Sequence, residues 1–314
     1  MGAVLESDPF RSSAGTRLAA LPGDVVEVFC RCDGAVAALR GADGNDRVSY
    51  INLFAFTNNA AAARAVVGAG AAGVVVDWER RGKRARQAGA DTQINGHTPE
   101  DLAAVRAAQG GVVLCRVNRW SAWTPAEIDL AVRLGADEVL LPMVRRPEEV
   151  DAALGVVAGR CGLGILVETA EAVRRVEQLA SRPLSRIYLG LNDLMIDRGG
   201  GSLFLALVDG TVDRVAGTAA EVGIPFGVAG LTRPGAGRPV PARLLQAVLA
   251  RAGASFTFLR RSFWADTAGR DLAVEVPRIL AAAADASRRM PAQVSADQAE
   301  LVHAVGLLKE GQAV

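Results

Sequence analysis

The chain has 314 residues, half of them apolar, which is enough for one large core or two modest ones. Its 35 positive and 34 negative side chains leave no global field to steer it toward nucleic acid or an anionic membrane. Two histidines, His97 and His303, exclude a His-rich zinc centre, and the spacing of Cys30, Cys32, Cys115 and Cys161 fits neither structural zinc nor a disulfide framework.

From the N-terminus, "MGAVLESDPF" lacks both a basic start and a long apolar segment, so no signal peptide is expected. Apolar runs elsewhere are interrupted by charge before they reach membrane-spanning length, and the cysteines read as buried thiols. A reducing, cytoplasmic location is the expectation. Residues 1–49 hold one strand-like piece, "DVVEVFCR", and turn signals such as "GADGND", and read as a cap or extension.

From residue 50 onward a short apolar run and an Ala-rich helical segment alternate. The strand candidates are 50–56, 73–77, 112–118, 138–143, 164–168, 186–191, 225–230 and 255–259. Each is too short for a helix and rich in Val, Ile, Leu or Phe, as buried parallel strands are. The intervening segments carry helix starts: Thr98-Pro99 with acids behind it, then Thr124-Pro125 closing on Gly135. Eight such units predict one (β/α)8 TIM barrel over 50–285. A doubly wound sheet is the alternative, but "FTNNAAAARA" follows the first strand where a Gly-rich dinucleotide turn would stand. Residues 286–314 form a helical extension, with Ser295 and Gln298 spaced as a capping box and Leu301, Val305 and Leu308 on one face. Either the barrel itself or a neighbouring subunit covers that face.

A barrel places its chemistry at the C-terminal ends of its strands. The candidates there are Asn58 and Asn59, Asp77 and Glu79, Arg116 and Asn118, Met143, Glu168, Asn192 and Asp193, and Arg260 and Arg261. Glu168 and Asp193 end neighbouring strands, so their carboxylates can converge. Two such charges repel unless a cation lies between them, and with no His or Cys nearby a hard ion such as Mg²⁺ or Mn²⁺ suits them. The other reading is that each caps the following helix, with Thr169 and Asn192 sharing that task.

"ILVETAEAV" followed by "IYLGLNDLM" resembles the metal motif of the HpcH/HpaI aldolase and citrate lyase beta-subunit family. "VVVDWE" is similar to the Asp-x-Glu of its citrate lyase branch, "LCRVN" to its substrate arginine, and "GADEVLLPMVRRPEEV" to its fourth strand and helix. The resemblance implies that Glu168 and Asp193 bind Mg²⁺ or a similar ion. It implies that Arg116 holds the carbonyl or enolate oxygen of a small carboxylate substrate, and that Asp77 and Glu79 manage protons near the metal. It also implies a homo-oligomer, trimer or hexamer, because the family commonly exchanges C-terminal helices between subunits. The alternative for Arg116 is a rim ion pair with Asp77 or Glu79.

Such a set suits a 2-oxo acid, whose developing oxyanion the cation and Arg116 stabilise when a C–C bond breaks. No strand end carries a lysine, so an amine route is disfavoured. The family's pyruvate aldolases carry Glu-His after strand 2, where this chain reads Asp77-Trp78-Glu79-Arg80. His97, in "TQINGHTPED", either reaches the site from its loop or flanks it in solvent, and Glu79 is the stronger candidate for the base. The basic loop Arg80, Arg81, Lys83, Arg84 and Arg86 is a solvated run or an anion trap. Arg233 and Arg238, in "GLTRPGAGRPVP", form a phosphate-type site or a plain crossover. "DRGGGS" reads as linker. The leading reading is a metal-dependent C–C lyase, with Asn118, Arg233 and Arg260 assisting Arg116 in substrate binding. The alternatives are a citrate-lyase-like acyl thioester lyase and a non-catalytic barrel.

Overall fold

The computed structural model describes residues 51–81 and 96–310, with side chains to 308. The cap expected over 1–49 and the loop residues Lys83, Arg84 and Arg86 lie outside the described residues, as do Cys30 and Cys32.

Eight strands close into a parallel barrel in sequence order. They are β1 (Asn52–Phe56), β2 (Gly73–Asp77), β3 (Val112–Arg116) and β4 (Glu138–Leu141), then β5 (Gly162–Val167), β6 (Arg186–Leu189), β7 (Phe226–Leu231) and β8 (Phe256–Leu259). Pairing of β1 with β8, from Asn52 opposite Phe256 to Ala55 opposite Leu259, seals the ring. All eight expected strands are present, most shortened at one end because the chain turns into loop or helix as soon as the ladder stops.

Alternation along each strand divides the apolar residues between two cores. Phe54, Val75, Leu114, Leu140, Leu166, Phe256 and Phe258 fill the lumen. Their neighbours in sequence, such as Leu53, Val74, Val76, Val113 and Val139, face the helices in the larger outer core. Full burial of one such Leu or Val side chain is worth about 1.5–3 kcal/mol. At the N-terminal end of the lumen, Glu138 and Arg186 form a buried pair at 2.5 Å, with the guanidinium 4.8 Å from the ring centres of both Phe54 and Phe256. Gly164 makes room for them, since a Cβ there would lie 2.5 Å from Glu138 Oε1.

The helices are α1 (Ala60–Gly68), α2 (Pro99–Ala108), α3 (Thr124–Arg133), α4 (Pro147–Val157), α5 (Ala170–Arg174) and α6 (Val176–Ala180). They continue with α7 (Leu191–Asp197), α8 (Thr211–Glu221), α9 (Ala242–Arg251), α10 (Ser262–Asp266), α11 (Leu272–Ser287) and α12 (Pro291–Glu310). Thr98 caps α2 in a full capping box with Asp101, as the sequence suggests. Two expected caps differ. Thr124 is the first residue inside α3, where its buried hydroxyl donates to Arg119 C=O and accepts from Ser121 N–H. Ser295 lies within α12, its hydroxyl donating to Pro291 C=O, while Gln293 Oε1 takes the Met290 N–H. Both hydroxyls found a nearer backbone partner than a helix end. On α12, Leu301 and Val305 are buried and Leu308 packs on the outer core, so the chain's own barrel covers that face. No helix among the described residues is long and apolar enough to cross a membrane.

Candidate active site at the barrel mouth

A cavity of about 500 Å³ opens at the C-terminal ends of the strands. His97, Arg116, Glu168, Tyr188 and Asp193 line one part of it, and Arg260, Arg261 and Trp264 another. Its mouth sits where a barrel's strand ends and loops converge, the fold's usual place for chemistry.

Glu168 follows β5 directly and is 2% exposed. Its Oε1 accepts the Met143 N–H at 2.8 Å, an approach made by Met143 adopting φ 55° at the end of β4. That left-handed backbone is unusual for methionine and aims the N–H across the mouth. Glu168 does not cap α5, because Thr169 does, accepting from Ala172 N–H and donating to Val144 C=O. Gly190, between β6 and α7, lies against the same carboxylate: a Cβ there would stand 2.5 Å from Glu168 Oε2. Asp193 is in the first turn of α7 rather than on the strand, and is also buried at the cavity wall. Gly190 is the N-cap of α7, so Asn192 is not a cap either.

Burial pushes the Glu168 carboxyl well above the usual carboxylate range, and the charges of Asp193 and Glu79 push it further. Arg116 and the Met143 N–H pull the other way. Two buried acids that repel across a cavity lined with oxygen donors are what a hard divalent cation neutralises, so the residues present fit Mg²⁺ or Mn²⁺. Among the described residues no group of three or more His, Cys, Asp or Glu side chains is arranged to hold a metal ion.

Arg116, the last residue of β3, is gripped by Asp77, the last of β2, through Nε–H to Oδ1 and Nη2–H to Oδ2, both 2.8 Å. Its Nη1 lies 3.5 Å from Glu79 Oε2, and its guanidinium sits 5.1 Å from the Phe56 ring centre. Burial alone would lower its pKa, but the Asp77 and Glu79 carboxylates hold it above the ordinary arginine value. The ion pair expected as the alternative for Arg116 therefore exists, and Arg116 still lines the cavity. Asp77 is further held by accepting the Glu79 N–H. Neither Asp77 nor Glu79 lines the cavity, so both stand behind Arg116.

His97 arrives from the loop before α2 and is buried, not solvent-flanking. Its Nδ1 accepts the Asp77 backbone N–H at 2.8 Å, which places the ring proton on Nε2. Tyr188, on the lumen side of β6, donates its hydroxyl to Ala229 C=O, and burial pushes its phenol up. Sequence reading missed Tyr188, Gly190 and Trp264; the first two flank the strand end "YLGL", where the two-residue alternation points Tyr188 into the lumen.

Other expected residues lie elsewhere. Asn118 brackets the 78–81 turn, accepting Arg80 and Arg81 N–H and donating to Trp78 C=O and Glu127. Asn59 caps α1. Arg233 is tied to Glu275 and Asp266 C=O, outside the cavity. Arg260 does line it.

Residues 50–203 match the model of the HpcH/HpaI aldolase/citrate lyase family. They belong to that family. The matched span covers β1 to β6, and so includes Asp77, Arg116, Glu168 and Asp193; Arg260 and Arg261 lie beyond it. The HpcH/HpaI family is one of aldolases and citrate lyases, and it supports a lyase- or aldolase-type activity for this chain. The fold is shared with an HpcH/HpaI aldolase/citrate lyase family protein from Burkholderia cenocepacia, at 18% identity and TM-score 0.54 over 74% of this chain and 97% of that one. It is also shared with an HpcH/HpaI aldolase from Desulfitobacterium hafniense, at 17% identity and TM-score 0.51 over 67% and 86%. No curated protein matches this sequence.

Proposed function

We propose that the cavity is the active site of a divalent-metal-dependent carbon–carbon lyase acting on a 2-oxo acid or a related small carboxylate. The observation that carries this reading is the pair of buried carboxylates, Glu168 and Asp193, sharing one cavity with an arginine already oriented by Asp77. Glu168 and Asp193 would hold Mg²⁺ or Mn²⁺, which supplies Lewis-acid stabilisation of an enolate oxygen when bound.

This chain's residues do the rest. Arg116 keeps Nη1 N–H groups that Glu79 engages only at 3.5 Å, and offers them to the substrate's carbonyl oxygen. Asp77 fixes the guanidinium plane, so the donors are set before charge develops. His97, neutral and with its proton on Nε2, is the cavity residue suited to carry a proton to or from substrate. Glu79, with Oε2 3.5 Å from Arg116 Nη1, would in this reading tune that guanidinium. Phe258, Leu166 and the other apolar wall residues keep bulk water from the reacting carbon.

The test is metal-dependent deuterium exchange into pyruvate, followed by NMR with and without EDTA. Exchange is expected to need metal and to fall in Glu168→Gln, Asp193→Asn and Arg116→Ala. Wild-type exchange in the first two variants would end the metal reading. Exchange with no 2-oxo acid would move the assignment to acyl thioesters. A homo-oligomer in a cytoplasmic setting completes the proposal, and a monomer mass by light scattering at micromolar concentration would remove the first part.

A further inference from the structure

The barrel mouth carries a second charged sector. Between residues 222 and 265 the chain has six arginines and no acid, although its charges balance overall. Three of those arginines are tied down outside the cavity: Arg233 to Glu275, Arg243 to Glu300 and Arg251 to Asp213. Arg260 and Arg261, which follow β8, line the cavity itself. In the ring of strands, β8 stands three places from β5, so this arginine pair occupies a different sector from Glu168 and Asp193. Phe204, Leu245, Leu259 and Trp264 contribute apolar wall to the same cavity.

Arg260 is built into that wall. Gly230 of β7 lets its stem approach, since a Cβ there would lie 3.1 Å from Arg260 Cβ. The β7–α9 loop wraps its head: Nη2 donates to Arg238 C=O at 3.1 Å, and Gly237, at φ 96°, leaves room for Nη1. Nη1 is buried and has no hydrogen-bond partner among the described residues. A buried guanidinium donor without an acceptor is unfavourable, and a rotation toward an oxyanion in the cavity would satisfy it. Burial lowers the Arg260 pKa and the Arg261 charge adds to that, with only Asp266 opposing. Asp266 in turn accepts the Thr232 hydroxyl.

We propose that Arg260 and Arg261 form a subsite for a phosphoryl group at the end of the substrate distal to the carbon that reacts beside Arg116 and Glu168. The proposal deepens the active-site reading above and rests on it for the identity of the reacting end. Two arginines lining one cavity match a dianion with three acceptor oxygens better than a single carboxylate. The loops after strands 7 and 8 are where barrels commonly seat phosphate. A cavity of about 500 Å³ also exceeds the needs of a three-carbon oxo acid.

The experiment is calorimetric titration of the full chain, in EDTA, with glycerol 3-phosphate, glycerol and glutarate. Glycerol 3-phosphate is expected to bind and glycerol not to. Arg260→Gln should weaken the phosphate ester by about tenfold to a hundredfold, the span of one charge-assisted hydrogen bond. Arg243→Gln, whose arginine pairs with Glu300 on α12, should leave binding unchanged. Arg260→Lys and Arg261→Gln, each expected to weaken binding severalfold, serve if Arg260→Gln does not fold. Equal affinity in wild type and the Arg260 variants would overturn the proposal, as would tighter binding of glutarate than of the phosphate ester. Because no turnover is needed, phosphate binding without pyruvate exchange would count against the enolising reading and leave the subsite standing. Exchange without phosphate binding would do the reverse.

Discussion

Gly190→Ala probes the pocket proposed to hold a metal without replacing a charged residue. The new Cβ would stand 2.5 Å from Glu168 Oε2 and 2.9 Å from Glu168 Cβ. To reach an ordinary contact of 3.4 Å the carboxylate must retreat by about 0.9 Å. Glu168 Oε1 is held at 2.8 Å by the Met143 N–H, so that retreat stretches or breaks a buried charge-assisted bond. The loss is about 1.5–3 kcal/mol, reduced by the smaller unfolded-state entropy of alanine to about 1–2 kcal/mol net. Urea titration should show that loss, and Mn²⁺ affinity should fall by about tenfold to a hundredfold as a ligand leaves its position. Gly155→Ala, at an interior position of α4 with open space around its Cβ, is the control and should stabilise by about 0.5–1 kcal/mol. Gly190→Ala with wild-type stability and Mn²⁺ affinity within about twofold of wild type would show that Glu168 is not held as described.

Asp77→Asn removes the charge that orients Arg116; kcat/KM for 2-oxo acid exchange should fall by about a hundredfold with the pH limbs unmoved. A moved limb would instead give Asp77 a titrating role. Arg186→Ala leaves Glu138 buried without its partner and should cost about 3–5 kcal/mol by urea unfolding, whereas Glu138→Leu/Arg186→Met should come close to wild type. If the double variant is as unstable as the single, the pair is more than a mutually compensated plug. Burial pushes the Cys161 thiol up to about 11, so near pH 8 only about one molecule in a thousand carries the thiolate. Peptide-resolved iodoacetamide labelling of native protein should be about a hundredfold slower than in urea, rising tenfold per pH unit toward pH 11. Equal native and denatured rates at pH 8 would contradict that burial.

What the sequence determined by itself was the barrel and the chemical types at its mouth. Buried parallel strands are short runs of Val, Ile, Leu and Phe whatever their neighbours, so β1 to β8 are visible one at a time. Glu168 and Arg116 stand out because a charge ending an apolar strand is costly unless something meets it, and Asp193 because it follows the β6 run within a few residues. Only the tertiary structure decided which partner each charge takes. Arg116 pairs with Asp77 across 39 residues, His97 folds back 20 residues to accept the Asp77 N–H, and Arg233 turns to Glu275. Asn118 was drawn from the site because the 78–81 turn uses its whole amide. Thr124 and Ser295 left their expected caps for nearer backbone carbonyls. Strand-forming preference is local along the chain, whereas the satisfaction of buried hydrogen bonds and charges is settled by whichever groups the closed barrel brings within about 3 Å.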